Sequence, residues 1–98
     1  MYARVARWEG ADGDGLRRMA DEMNSRAAEG PPPGVPARGF TLLIDPDGRR
    51  SLAIALFETE ADLRQGDEAL NAMNPDAGDD AGRRTSVEMY EVAVDLRV

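Results

Sequence analysis

Two aromatic side chains and an arginine alternate along the first residues of the chain. Tyr2, Arg4 and Trp8 are separated by even numbers of residues, so an extended strand places all three on one face. An aromatic wall beside a guanidinium can bind a planar ligand that is acidic or phenolic. The alternative is that both aromatic rings pack in the core or between subunits, as aromatic pairs on half-buried strands more often do.

The charged and hydroxyl groups nearby also have two interpretations. Arg4 and Arg7 fall on opposite faces of the same strand, so one guanidinium points toward buried surface and needs a partner. Glu58, Glu88 or Glu91 could supply that partner in a structural or intersubunit salt bridge, and the alternative is an anion-binding arginine. Tyr90, in a later alternating segment, could likewise donate a proton into a cleft or be a core tyrosine.

Composition excludes several chemistries. The chain has no cysteine and no histidine, which rules out disulfides, thiolate nucleophiles, Cys/His zinc sites and haem held by either side chain. Its formal charge is −7 and its arginines are scattered, which argues against nucleic-acid and anionic-membrane partners. No catalytic triad can be assembled, and no metal or cofactor is expected. Met1 leads into a strand without a signal-like apolar segment, so we expect a cytoplasmic protein.

Six elements are needed to position these side chains. Strands are predicted at Tyr2–Glu9, Gly39–Asp45 and residues 50–58, the last two joined by an Asp-Pro-Asp-Gly turn in which glycine supplies a positive φ. Between the first two strands, the periodicity predicts a helix capped by Asp14 and ending at Gly30, followed by a proline-rich connector.

A second helix and a fourth strand complete the predicted elements. Thr59 and Asp62 form a capping-box-like start to a second helix, whose apolar stripe ends before Asn74 and Pro75. Residues 76–82 are predicted to form an acidic loop, and residues 85–97 the last strand. The whole chain, residues 1–98, is therefore one α+β domain of β-α-β-β-α-β order. In this ferredoxin-like arrangement a four-stranded antiparallel sheet carries both helices on one face.

Both faces of the predicted sheet are apolar. In the third strand Leu52, Ile54 and Leu56 alternate with Ala53, Ala55 and Phe57. Two helices cover only one face, and leaving the other in water would forfeit several kcal/mol at about 25 cal/mol per Å². A second copy of the chain is the simplest cover. The alternative is partial cover by the proline-rich loop and the C-terminal tail, and the pattern leaves open which face meets the helices.

Four segments together resemble the dimeric α+β barrel superfamily, and within it domains related to the antibiotic biosynthesis monooxygenases. They are Met-Tyr-Ala-Arg-Val at residues 1–5, Pro-Ala-Arg-Gly-Phe at 36–40, Leu-Phe-Glu-Thr-Glu-Ala-Asp-Leu at 56–63 and Val-Glu-Met-Tyr-Glu-Val at 87–92. The resemblance implies that two sheets pack face to face, with a ligand-sized cleft between sheet and helices in each subunit. Active members of that branch use asparagine, tryptophan and histidine, tyrosine or arginine around the cleft. Phe57 stands here where tryptophan is usual, and the first strand has no asparagine.

These observations favour a homodimer that binds a small aromatic or acidic molecule in that cleft. The candidate ligand-binding residues are Tyr2, Arg4, Trp8, Phe57 and Tyr90. No catalytic residue is assigned. One alternative is a cofactor-independent monooxygenase or isomerase whose substrate supplies its own reactivity, and the other is a structural dimerisation module.

Overall fold

A computed structural model describes residues 1–73 and 81–98 of the chain. The elements, in order, are β1 (Tyr2–Glu9), α1 (Gly13–Ser25), β2 (Gly39–Asp45), β3 (Arg50–Phe57), α2 (Glu60–Met73) and β4 (Arg83–Glu91). The strands form one antiparallel sheet in the order β2-β3-β1-β4. The predicted ferredoxin-like β-α-β-β-α-β fold is therefore confirmed.

The helices cover one face of the sheet, which decides the question that the sequence left open. Ala6 and Trp8 of β1 pack with Met19 of α1, and Arg4 is bonded to Asp67 of α2. Since Tyr2 shares this pleat, the covered face is the one that carries the aromatic pair of β1. Among the described helices, none is long and apolar enough to cross a membrane.

The buried side chains under the helices form two clusters. The first, which we call the Phe57 cluster, contains Val35, Ala55, Phe57 and Leu63, with Tyr2 packed against it. The second, the Trp8 cluster, contains Ala6, Trp8 and Ala81, with Met19, Ala53 and Val87 packed against it. Arg4 lies between them, because it follows Tyr2 and precedes Ala6 on the same pleat of β1.

Both ends of α1 differ from the prediction. The residue before the helix is Asp12, in extended conformation, so Asp14 lies inside the first turn and is not the cap. A carboxylate in the first turn still stabilises the helix, because it lies near the positive end of the helix dipole. At the other end the α-helix stops at Ser25 and not at Gly30. The backbone N–H of Arg26 is shared between the carbonyls of Glu22 and Met23, both at 3.2 Å, which tightens the chain into a 3₁₀ turn at Ala27–Glu29.

The β2–β3 hairpin has the predicted turn, with one difference. The backbone N–H of Gly48 donates to Asp45 Oδ1 at 3.1 Å, but the positive φ of 57° belongs to Arg49 and not to Gly48. Arg49 is held in this conformation from outside the hairpin. Its Nε donates to the carbonyl of Ala11 at 2.8 Å, and its own carbonyl accepts the N–H of Gly10 at 2.9 Å. The turn is thus fastened to the connection between β1 and α1.

The start of α2 matches half of the predicted capping box. Thr59 Oγ1 accepts the backbone N–H of Asp62 at 3.1 Å. The predicted end of this helix before Asn74 and Pro75, and all but the last two residues of the predicted acidic loop at 76–82, lie outside the described residues.

The last strand is shorter than predicted and ends at Glu91 instead of residue 97. Its ladder partner is β1, and the backbone N–H of Val92 donates to the carbonyl of Met1 at 2.9 Å. The paired register of β1 and β4 runs as far as Tyr2 and Glu91. Residues 92–98 have no regular secondary structure, although their apolar side chains still alternate.

Candidate functional site

A cavity of about 150 Å³ lies between the sheet and the helices, beside the Trp8 cluster. Most of its wall is apolar. Trp8 and Phe40 contribute aromatic rings from β1 and β2, Met19 and Met23 contribute from α1, and Leu70 contributes from α2. The polar part of the wall is formed by Arg4, Ser51 and Arg84. An apolar pocket with a few convergent polar groups is the usual form of a small-molecule site.

Two arginines meet at one side of this cavity. Arg4, only 5% exposed, donates from Nε to Asp67 Oδ1 at 2.8 Å and from Nη2 to Asn71 Oδ1 at 3.0 Å. Arg84 donates from Nη1 to the same amide oxygen at 2.8 Å. The partners proposed from sequence for Arg4 were therefore wrong. Glu58, for example, pairs with Arg38 at 3.3 Å.

The fold explains why these groups converge. Asp67 and Asn71 are four residues apart on α2, so both side chains project from one face of the helix toward Arg4. Arg84 is directed to the same place by a β-bulge between β1 and β4, where Arg7 pairs with Ser86 but Trp8 pairs with Arg84. Simple alternation would place Arg84 on the opposite face, and the extra residue, Thr85, turns it toward the cavity.

Ser51 adds an unsatisfied hydroxyl. Its residue is 3% exposed, and within the described part of the chain its Oγ has no hydrogen-bond partner. On β3 it pairs with Trp8, which on its other side pairs with Arg84. Ser51, Trp8 and Arg84 thus form a row across three neighbouring strands. A buried hydroxyl without a partner costs about 1–3 kcal/mol, so a group that bonds to it would be favoured.

The structure brings two of the five candidate residues to this cavity. Arg4 and Trp8 line it, whereas Tyr2 and Phe57 belong to the neighbouring Phe57 cluster. Tyr90 lies on the opposite face of the sheet, because its neighbour Met89 pairs with Arg4 on the helix-covered pleat. The wall residues that sequence reasoning did not select are Phe40, Ser51 and Arg84.

Tyr90 is poorly suited to proton transfer at neutral pH. Its hydroxyl donates to Glu88 Oε2 at 2.6 Å, and this bond to a carboxylate raises the pKa of the phenol above its ordinary value. The two residues also lie outside the cavity, on the side of the sheet without helices.

The described part of the chain contains no cluster of side chains that could bind a metal ion. There, no group of three or more histidine, cysteine, aspartate or glutamate residues is arranged to hold an ion. The polar groups of the cavity wall are instead guanidiniums and a hydroxyl, which suit an anionic or hydrogen-bonding organic ligand.

No model of a known protein family matches the chain, and no curated protein matches it either.

Proposed function

We propose that the chain binds a small aromatic or acidic molecule in the cavity between sheet and helices, as a subunit of a homodimer. The observation that carries the proposal is the convergence of Arg4 and Arg84 on Asn71 at the wall of an otherwise apolar cavity. Among the described residues two guanidiniums face a single carboxylate in this cluster, which places positive charge beside an apolar wall. That combination suits a ligand with one apolar and one acidic part.

The same features are costly for a module whose only role is structural. A buried ion pair such as that of Arg4 and Asp67 is often no more stabilising than apolar residues of similar volume. A cavity of about 150 Å³ lined mainly by apolar side chains also leaves apolar surface in contact with water. Binding of a ligand would offset both costs, because it would fill the space and use the charge.

The open face of the sheet supports the homodimer. Leu52, Ile54 and Leu56 lie on it only partly buried, and Leu43 beside them is 49% exposed. The proline-rich segment does not cover this face, because its Val35 packs in the Phe57 cluster on the helix side. In the C-terminal tail Val94 is 72% exposed, so the tail is not packed on the sheet of its own subunit.

The occupant that fits this face is a second copy. Its face carries the same apolar rows, and two such sheets can interdigitate about 10 Å apart. The sequence resemblance to the dimeric α+β barrel superfamily, and within it to the antibiotic biosynthesis monooxygenases, also favours this dimer, because it implies that two sheets pack face to face.

A fluorescence titration tests the binding. Trp8 is the only tryptophan of the chain and lies in the cavity wall, so its emission responds to an occupant. Toluene, phenol, benzoate and 1-naphthoate are titrated in turn. We expect a saturable change with at least one probe, and its loss in Ala53→Leu, which adds volume inside the cavity. Ala72→Leu, on the exposed side of α2, is the control.

Two outcomes would contradict the proposal. Failure of all four probes to saturate would favour a structural module. Oxygen uptake with an anthrone substrate in air, abolished by Ala53→Leu, would show instead that the cavity is the site of a cofactor-independent monooxygenase.

A further inference from the structure

We infer that the cavity selects a single-ring aromatic acid with a polar group opposite its carboxylate, of the 4-hydroxybenzoate type, held between Arg84 and Ser51 over Trp8. This inference rests on the proposed function and names the class of ligand. It follows from the size of the cavity, the charge at one end and the hydroxyl at the other.

Size sets the first limit. A cavity of about 150 Å³ is of the volume that, when lined by aliphatic and aromatic side chains, binds benzene. Fused two-ring and three-ring systems are larger by one and two rings. The aromatic surfaces of Trp8 and Phe40 offer a planar ring favourable stacking and edge contacts. The apolar part of the ligand is therefore one ring.

Charge defines one end of the ligand. Arg4 is engaged with the carboxylate of Asp67, whereas the bond of Arg84 is to the neutral amide oxygen of Asn71. Within residues 1–73 and 81–98 no carboxylate pairs with Arg84, and a guanidinium presents paired N–H donors that match a carboxylate. A carboxylate is thus expected at the side of the cavity formed by β4.

Register defines the other end. Arg84 and Ser51 are the partners of Trp8 on its two neighbouring strands, so their Cα atoms are two strand spacings, roughly 10 Å, apart. A benzene ring with substituents at opposite positions spans the space between the two side chains. The unpartnered Oγ of Ser51 can donate to, or accept from, a hydroxyl at that position.

The test is a set of affinities measured by calorimetry at fixed ionic strength, because surface charge effects depend on salt. The probes are 4-hydroxybenzoate, benzoate, 4-hydroxybenzyl alcohol and 1-naphthoate. We expect 4-hydroxybenzoate to bind at least 5-fold tighter than benzoate, and at least 10-fold tighter than the alcohol and the naphthoate.

Two variants assign these preferences to residues. Arg84→Gln should remove the preference for 4-hydroxybenzoate over the alcohol. Arg83→Gln is its matched control, since Arg83 carries the same charge one residue earlier and is exposed. Ser51→Ala should remove the preference for 4-hydroxybenzoate over benzoate, and leave the preference over the alcohol unchanged.

The results separate this inference from the proposed function. If the alcohol or 1-naphthoate binds as tightly as 4-hydroxybenzoate and Ala53→Leu prevents that binding, the cavity is a ligand site but this class is wrong. Equal effects of Arg84→Gln and Arg83→Gln would also overturn the inference. If no probe of any charge or size binds, both proposals fail.

Discussion

At the scale of single residues, Arg4 shows how a buried charge can organise a site. Its guanidinium reaches from the sheet to α2 and is bonded there to Asp67 and Asn71. The alternation of β1 predicted that either Arg4 or Arg7 would be buried. It could not predict the partner, because Asp67 is 63 residues away and its position depends on how α2 packs on the sheet.

Removal of one member of this pair should be costly. We expect Asp67→Ala to lower the free energy of unfolding by about 3 kcal/mol, because it leaves a buried guanidinium without its carboxylate. The double variant Arg4→Met with Asp67→Leu should recover most of that loss. Glu58→Ala, which breaks the exposed pair with Arg38, should cost less than about 1 kcal/mol.

Urea unfolding of these variants checks the prediction. An Asp67→Ala variant no less stable than Glu58→Ala would show that the buried guanidinium of Arg4 does not depend on the carboxylate of Asp67.

The candidate site was only partly predictable at this scale. Arg4 and Trp8 could be selected because an even spacing along a strand fixes a shared face. Arg84 could not, since the bulge that turns it toward the cavity has no signature in the alternation of β4. Ser51 gave no signal either, because a hydroxyl becomes notable only when its surroundings leave it without a partner.

At the scale of elements, the contact between α2 and β3 depends on a glycine. Gly66 is buried in α2, and a Cβ at this position would collide with the ring of Phe57. The spacing of Leu63, Gly66 and Leu70 in the sequence predicts that Gly66 lies on the apolar face of the helix, and the structure confirms this. The spacing did not show that the absence of a side chain is what allows the helix to approach.

Gly66→Ala should therefore destabilise the protein, although glycine to alanine inside a helix ordinarily stabilises by about 1 kcal/mol. We expect a loss of about 1–3 kcal/mol, since the methyl group overpacks a site closed by a fully buried ring. Thermal unfolding, monitored by circular dichroism, measures the change in stability. Glu68→Ala, an exposed position two residues further on, should change stability by less than about 0.5 kcal/mol. A stabilised Gly66→Ala variant would contradict the close contact.

The β2–β3 turn has a pH dependence that can be measured separately. The backbone N–H of Gly48 and the guanidinium of Arg50 hold the pKa of Asp45 below its ordinary value of 3.8. Because the pKa is lower in the folded state, the ionised carboxylate favours folding above pH 3.8. That contribution is lost as the pH falls through the folded-state pKa.

We therefore expect wild type to exceed Asp45→Asn in urea midpoint at pH 7, and the difference to shrink as the pH falls below 3.8. The effect should be small, since Asp45 and Arg50 are both substantially exposed. Asp47→Asn removes the same charge from the same turn but leaves the bond to Gly48. A pH-independent difference between wild type and Asp45→Asn would contradict the assigned cause.

At the scale of the whole molecule, the order of the helices and strands could be predicted from the sequence, but the residues at which some of them end could not. Periodicities of two and 3.6 residues and the turn at Asp45 identified six elements in the right order. The end of β4 at Glu91 could not be predicted, because the alternation of apolar side chains continues through residues 92–98 without a break. The helix-covered face was undecided because both faces of β3 are apolar.

The proposed dimer is tested at this scale by light scattering at tens of micromolar protein. We expect wild type to have twice the 10.6 kDa mass of the chain. Ile54→Glu should reduce it to the monomer, because Ile54 lies on the open face of β3, a central strand, and a carboxylate there would be buried unpaired. Ala72→Glu places the same charge on the exposed side of α2 and should leave the mass unchanged. A wild-type monomer would refute the pairing.

The division of the interior by Arg4 has a consequence for cooperativity. Phe57 and Trp8 belong to separate apolar clusters, with the ion pair to Asp67 between them. Regions of one domain can open independently when few apolar contacts join them. Amide hydrogen exchange would then show two protection levels along β1, one at its Tyr2 end and one at its Trp8 end. A ligand in the cavity would slow amide exchange at the Trp8 end of β1 first. It would therefore stabilise one part of the domain before it stabilises the whole.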